Sequence, residues 1–252
     1  MPQPNPARAD GHPPRAQMLA YSAVLALIAG FVNAVALLIL AFPVGNLTAV
    51  TTQIGMNTAN PWLYEGHMLA AILIGFLAGA TMAGALLAPT DGITGRRHAV
   101  VLTLEAGLLL LAALGVEEPF VRTQIESFGV ELAAAQAFFA ATALGLQNAL
   151  TSSFRGMAVR TTHFTGTVTD LGLMLGRSRE HGIEKWKAAI LSVTLLLFLV
   201  GAIAGLLIGA RIGGYALVVP AAMCVAVAAA NLLHSRGYRK EPQDRAAEVA
   251  VA

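Results

Sequence analysis

The sequence predicts an all-α polytopic membrane protein, with six transmembrane helices and two short Thr-rich half-helices in a 3+3 inverted repeat. Three observations carry this. Of the 252 residues, 56% are hydrophobic and 12% charged, about half the ~25% charge of a soluble domain. The apolar residues fall in long runs, and mean hydropathy is +0.68. Two short polar stretches interrupt them, NLTAVTTQIG at 46–55 and RTTHFTGTVTDLG at 160–172. Aligned, these match Thr48 to Thr165, Thr52 to Thr169 and Gly55 to Gly172, with Leu47 opposite Phe164 and Ile54 opposite Leu171. The ~10-residue alternating strands of a β-barrel are absent.

Residues 1–17 hold five prolines and no apolar run, the composition of a disordered tail. Met18 to Ala41 is longer than a signal-peptide core of ~7–15 residues and continues through GFVNA, so it is expected to stay as span one; Phe42, Pro43 and Gly45 stop it. Asn46 to Thr58 follows. At ~1.5 Å per residue it reaches ~20 Å, short of the ~30 Å hydrocarbon core. Met68 to Ala88 is span two, with Gly75, Gly79 and Gly84 as a close-packing face. After PTDGITGRR, Ala99 to Val116 is span three. Glu117 to Glu126 reads as a polar loop, and Leu132 to Leu150 as span four. The second short segment runs from His163 to Gly176, the basic stretch RSREHGIEKWK leads into span five, Ala188 to Ala210, and Leu217 to Leu233 is span six. The membrane domain is therefore 18–234, half one 18–116 and half two 127–234, with a cytoplasmic tail at 235–252.

The net charge of +2 and pI near 8.9 would suit nucleic acid, but the distribution of charge points to a bilayer. Six crossings put 14 Lys and Arg on one side. Only Arg122 and Arg211 fall on the other, with Glu65, Glu117, Glu118, Glu126 and Glu131. By the positive-inside rule both termini are cytoplasmic. The lone Cys224 excludes an intrachain disulfide and a cysteine-based metal cluster; a small buried hydrophobe is its bland role.

Landmarks recur in order: GFVNA at 30–34 and GLQNA at 145–149, the Thr-rich segments, then GFLAG at 75–79 and GAIAG at 201–205. Three crossings per half invert the second half, the plan of many transporters. Half-helices dipping from opposite sides would bring their N-termini, near Thr48 and Thr165, together at the midplane. Such ends carry free N–H groups and about half a positive charge, favouring an anion, a carboxylate or water's oxygen. Thr48, Thr51, Thr165 and Thr167 supply hydroxyls, and Gly166 permits close approach. The alternative is plain packing, with each hydroxyl bonded to its own i−4 carbonyl.

Asn33 and Asn148 hold equivalent places late in spans one and four, with Gln147 beside the second. They line a site or bond between helices. Asp170 lies one turn into the second half-helix, where an acid suits the dipole; Arg155 or Arg160 is a candidate ion-pair partner or gate. His163 is a lone histidine with a structural role as its bland reading. Glu105, mid-span in LTLEAGL, is costly unless paired or protonated, which makes it the proton-coupling candidate. No HExxH, GxSxG, Walker A or GxGxxG sequence occurs, so neither an enzyme nor a cofactor or metal site is expected.

At GFVNA, NLTAVTTQIG, GLQNA and TTHFTGTVTDLG (161–172) the chain resembles the YoaK-like family of bacterial membrane proteins, a domain of unknown function (DUF1275). The resemblance covers roughly residues 18–235. The second half-motif fits the family pattern. The first has Asn33 where the family usually has an acid, and Thr48-Ala49-Val50 where it has Thr-Gly-Asn. The resemblance implies a multi-span inner-membrane protein of unassigned activity. The functional expectation is a transporter or channel-like protein for a small polar or anionic solute, with the bilayer as its surroundings and a homo-oligomer admissible. The alternative is a non-transporting membrane scaffold or partner subunit.

Overall fold

The computed structural model describes residues 15–61, 64–88, 95–127, 129, 131–153 and 160–233. The C-terminal tail, most of the 89–97 loop, Arg155 and the first 14 residues lie outside them. The described residues form helices α1 (Arg15–Leu40), α2 (Leu47–Ala59), α3 (Gly66–Leu87), α4 (Arg96–Glu117), α5 (Pro119–Ser127), α6 (Leu132–Ser152), α7 (Phe164–Gly176), α8 (Ser178–His181) and α9 (Lys185–Ile212). A 3-10 turn at Gly213–Leu217 leads into a last helix, α10, at 218–233.

Four helical runs are long and apolar enough to cross a membrane: Arg15–Leu40, Gly66–Leu87, Arg96–Gly115 and Lys185–Leu233. A fifth is the bent pair Pro119–Ser127 and Leu132–Ser152. α6 qualifies only together with α5, and it carries Gln136, Gln147 and Asn148 among its apolar residues. The multi-pass, all-helical character expected from composition is present.

Local chemistry sets the element ends. α1 stops at Ala41, the one non-glycine described residue with positive φ (59°), whose N–H bonds the Leu37 carbonyl; Pro43 follows and cannot continue the helix. The Asn46 side chain caps α2 by accepting from Ala49 N–H at 3.2 Å. Asn57 closes the connection to α3, accepting from Tyr64 N–H and donating to the Tyr64 carbonyl, both at 3.0 Å. α9 ends at Gly213 (φ 60°), a left-handed position that suits glycine.

The chain reverses at Gly213. Tyr215 meets Glu118 just past α4, its hydroxyl donating at 2.8 Å. Cys224 then faces Glu105 in mid-α4, and Asn231 Nδ2 donates to the Tyr21 hydroxyl near the start of α1 at 3.1 Å. α10 therefore runs back down α4 and α1, antiparallel to α9.

The most extensive packing is α1 on α9 and α3 on α6, and glycine makes both crossings. A Cβ at Gly30 would overlap the Phe198 carbonyl, and one at Gly201 or Gly205 the carbonyl of Leu27 or Phe31. In the other pair, a Cβ at Gly145 would overlap the Phe76 carbonyl, and one at Gly79 that of Thr142. Dispersion between backbones this close holds helices together where lipid removes the hydrophobic drive. Gly84 has open space beyond it, so it is not part of the expected close-packing face.

Two expectations change. Glu117 to Glu126 is largely helical, as α5, begun by Pro119 and supported by an Arg122–Glu126 ion pair at 2.9 Å. Charge argues against this stretch crossing by itself, not against its being helical. Residues 15–17, expected in the N-terminal tail, belong to helix α1.

Candidate functional site

Both short Thr-rich segments are 13-residue helices, Leu47–Ala59 and Phe164–Gly176, in the register that aligns their threonines. Each is preceded by a turn held to the span before it. The Asn33 side-chain oxygen accepts from Gly45 N–H at 2.9 Å, and that of Asn148 accepts from the Thr162 hydroxyl at 3.2 Å. Asn33 lies about two turns before the end of α1, so the chain doubles back along α1 before α2 begins. Gly45 is buried against Leu144, Asn33 and Thr162, where an added Cβ would stand 3.0 to 3.2 Å from their side chains. The two turns are thus in mutual contact.

Where they meet, a cleft of about 300 Å³ is lined by Gly45, Asn46, Leu47 and Thr48 ahead of and in α2, and by Arg160, Thr162 and His163 ahead of α7. Phe76 and Ala80 of α3 and Asn148, Ala149 and Ser152 of α6 complete the wall. The N-terminal ends of both short helices therefore face one polar space, with a guanidinium at its edge. His163, the residue before α7, makes no side-chain capping bond, so the first N–H groups of α7 are not satisfied that way. A second cleft of about 170 Å³ shares Arg160 and His163 and adds Gly166, Thr167 and Asp170, with Leu191 and Thr194 of α9.

The expected residues divide. Thr48 and Asn148 line the first cleft, and Gly166, Thr167 and Asp170 the second. Gly166 packs under the His163 imidazole, where a Cβ would stand 3.2 Å from the ring. Thr167 donates to the His163 carbonyl at 3.3 Å, and Asp170 pairs with Lys187 at 3.2 Å rather than with Arg160. Asn33 stands behind the Gly45 turn and lines neither cleft. Thr51 is exposed and bonds the Leu47 carbonyl at 2.9 Å, while Thr165 is exposed outside both clefts. Gln147 is fully buried, donating to the Leu25 carbonyl and the Thr161 hydroxyl. Glu105 is fully buried in the α4 seam, in neither cleft.

Thr162, Ser152, Gly45 and Asn46 were not among the expected residues, and Arg160 and His163 were expected as an ion-pair partner or gate and as a structural histidine rather than as lining. One signal pointed to Gly45, Asn46, Thr162 and His163: if the Thr-rich helices correspond, so do the turns ahead of them.

The chain matches no curated protein and no solved structure. The model of a protein family of unknown function, DUF1275, matches residues 21–230, and with most of the chain inside that match, the protein belongs to the DUF1275 family.

Proposed function

We propose that the protein carries or conducts a small anionic or polar solute across the bacterial inner membrane, through the cleft between Gly45–Thr48 and Arg160–His163. The observation that carries this is the meeting of two helix N-terminal ends and one arginine at a single polar cleft. Each helix end offers free N–H groups and a partial positive charge. Arg160 adds a full charge and a fork of donors suited to a carboxylate or oxyanion. Polar irregular backbone at membrane depth is tolerated where it lines a wet cavity.

The architecture in this reading is six crossings in two inverted halves: α1, α3 and α4, then α6, α9 and α10, with α2 and α7 re-entering without crossing. Support comes from the paired contacts. Gly30 meets residues 198 and 202 as Gly145 meets residues 76 and 80, and Gly201 meets residue 27 as Gly79 meets residue 142. Positive charge then gathers on the cytoplasmic side with both termini. Re-entry from opposite sides lets each half supply one end of the solute site.

The test is flux in proteoliposomes with chloride, formate, acetate and inorganic phosphate as probes. At least one should move faster than through protein-free vesicles, and Arg160→Gln should cut that flux at least tenfold. Flux equal to protein-free vesicles for every probe would favour the scaffold role.

A further inference from the structure

We infer that Glu105 and Cys224 form a proton-binding site in the seam between α4 and α10, separate from the solute cleft, and that release of the proton opens this seam. Glu105 is 0% exposed and so is Cys224. Neither carboxyl oxygen of Glu105 has an N–H or O–H hydrogen-bond donor among the described residues, and none of the described ion pairs includes it. The polar groups that face it are the Cys224 thiol from α10 and, further off, the Tyr21 phenol from α1. The Tyr21 hydroxyl is itself held by Asn231.

The surroundings select the ion. An ionised carboxylate here would have neither water nor counter-charge, and buried carboxyls in that position bind a proton instead. A hard metal cation would want a shell of about six oxygens, whereas this seam offers a carboxyl, a phenol and a thiol, the last a soft ligand. The other helices packed on α4 bring no competing charge to mid-span. α6 has no titratable side chain along its length, and α3 has only His67 at its far end, where it pairs with Glu131 and Glu65. His98, two turns before Glu105 on α4, is 1% exposed with neither ring nitrogen bonded, and is the other titratable group on that stretch.

The seam also joins the halves, with Glu105 in the first and Cys224 in the second. With the proton on Glu105 the seam is neutral and closes dry. Without it the carboxylate requires water, which enters only if α10 moves off α4. Cys224 is the built-in reporter of that movement.

The experiment uses the full chain in lipid nanodiscs and needs no solute. Dicyclohexylcarbodiimide reacts with protonated membrane carboxyls: the acid proton passes to a carbodiimide nitrogen, the carboxylate oxygen bonds the central carbon, and acyl shift to nitrogen leaves a stable N-acylurea. Peptide mapping should find this adduct on Glu105 at acidic pH and at least tenfold less at alkaline pH. In parallel, N-ethylmaleimide alkylation of Cys224 is followed at both pH values in wild type and Glu105→Gln. An ionised Glu105 carboxylate disfavours the neighbouring thiolate, so the thiol of the variant ionises at least as readily, and an excess acceleration of the wild type at alkaline pH, expected at tenfold or more, measures seam opening. Absence of the Glu105 adduct at acidic pH overturns the proton site, and equal pH dependence in the two proteins overturns the opening. The adduct in wild type stands even if Glu105→Gln fails to fold, and neither readout depends on anion flux.

Discussion

Asn33 and Asn148 hold turns rather than solute as their first task. A free Gly45 N–H buried against Leu144 would be costly, and the Asn33 carbonyl oxygen removes that cost. Hydrogen bonds between membrane segments average ~0.6 kcal/mol and reach ~1.7. Asn33→Leu should therefore lower stability by about 1–2 kcal/mol, read as a drop in the thermal midpoint in detergent, with the Arg160-dependent flux reduced only as far as the Gly45 turn is displaced. The hydroxyls separate in the same way. Thr51, Thr52 and Thr169 each bond a carbonyl of their own helix, which is the packing use, whereas Thr48 faces the cleft. Thr51→Val is expected to leave flux within about twofold of wild type, a change under ~0.5 kcal/mol, and Thr48→Val to reduce it severalfold. The sequence singled out threonine as the relevant residue type but not which hydroxyls were free, because a threonine in any helix can satisfy itself on the preceding turn.

At the scale of elements, the helix crossings rest on a few glycines whose neighbours are carbonyls rather than flexible side chains. Gly79→Ala pushes a methyl into the Thr142 carbonyl and should cost about 1–3 kcal/mol. Gly84→Ala, five residues along the same helix with open space around it, should be neutral or raise stability slightly through helix propensity. Thermal unfolding of the purified pair gives a within-helix comparison. The short helices were legible to within a residue or two, since their length and polarity set them apart from every span. Under the proposed two-half plan, the pairing of GFLAG with GAIAG is one turn out of register. The crossing contacts match Gly79 with Gly201, not with Gly205. Small residues four apart look the same after a one-turn slip, and only the facing backbone decides between them. α5 was missed because its charges marked it as outside the membrane, which says nothing about whether it coils.

For the whole molecule, charge and hydropathy revealed a multi-pass membrane protein, and the broken run Lys185–Leu233 shows why crossings are harder to count than apolar residues. Its turn rests on Gly213 in a left-handed conformation, so Gly213→Val should cost about 1–2 kcal/mol and loosen the Tyr215–Glu118 contact. The cleft itself was legible as two helix ends destined to meet. Arg160 was expected as an ion-pair partner of Asp170 or a gate rather than as a lining residue, and a basic residue beside a span reads equally well as a topology signal.

The central claim is that the cleft at Thr48 and Arg160 is wet and favours anions, and thiol accessibility tests it most directly. In a Cys224→Ala background, single cysteines at Thr48 and Ser152 are compared with one at Val50, which is buried at 0% exposure. Anionic and cationic methanethiosulfonate reagents are applied from each side of the membrane. The account predicts that both cleft cysteines react from the side on which α6 ends, faster with the anionic reagent, while the Val50 position does not react. A cleft that reacts with neither reagent in folded protein would contradict it, and so would one that prefers the cation.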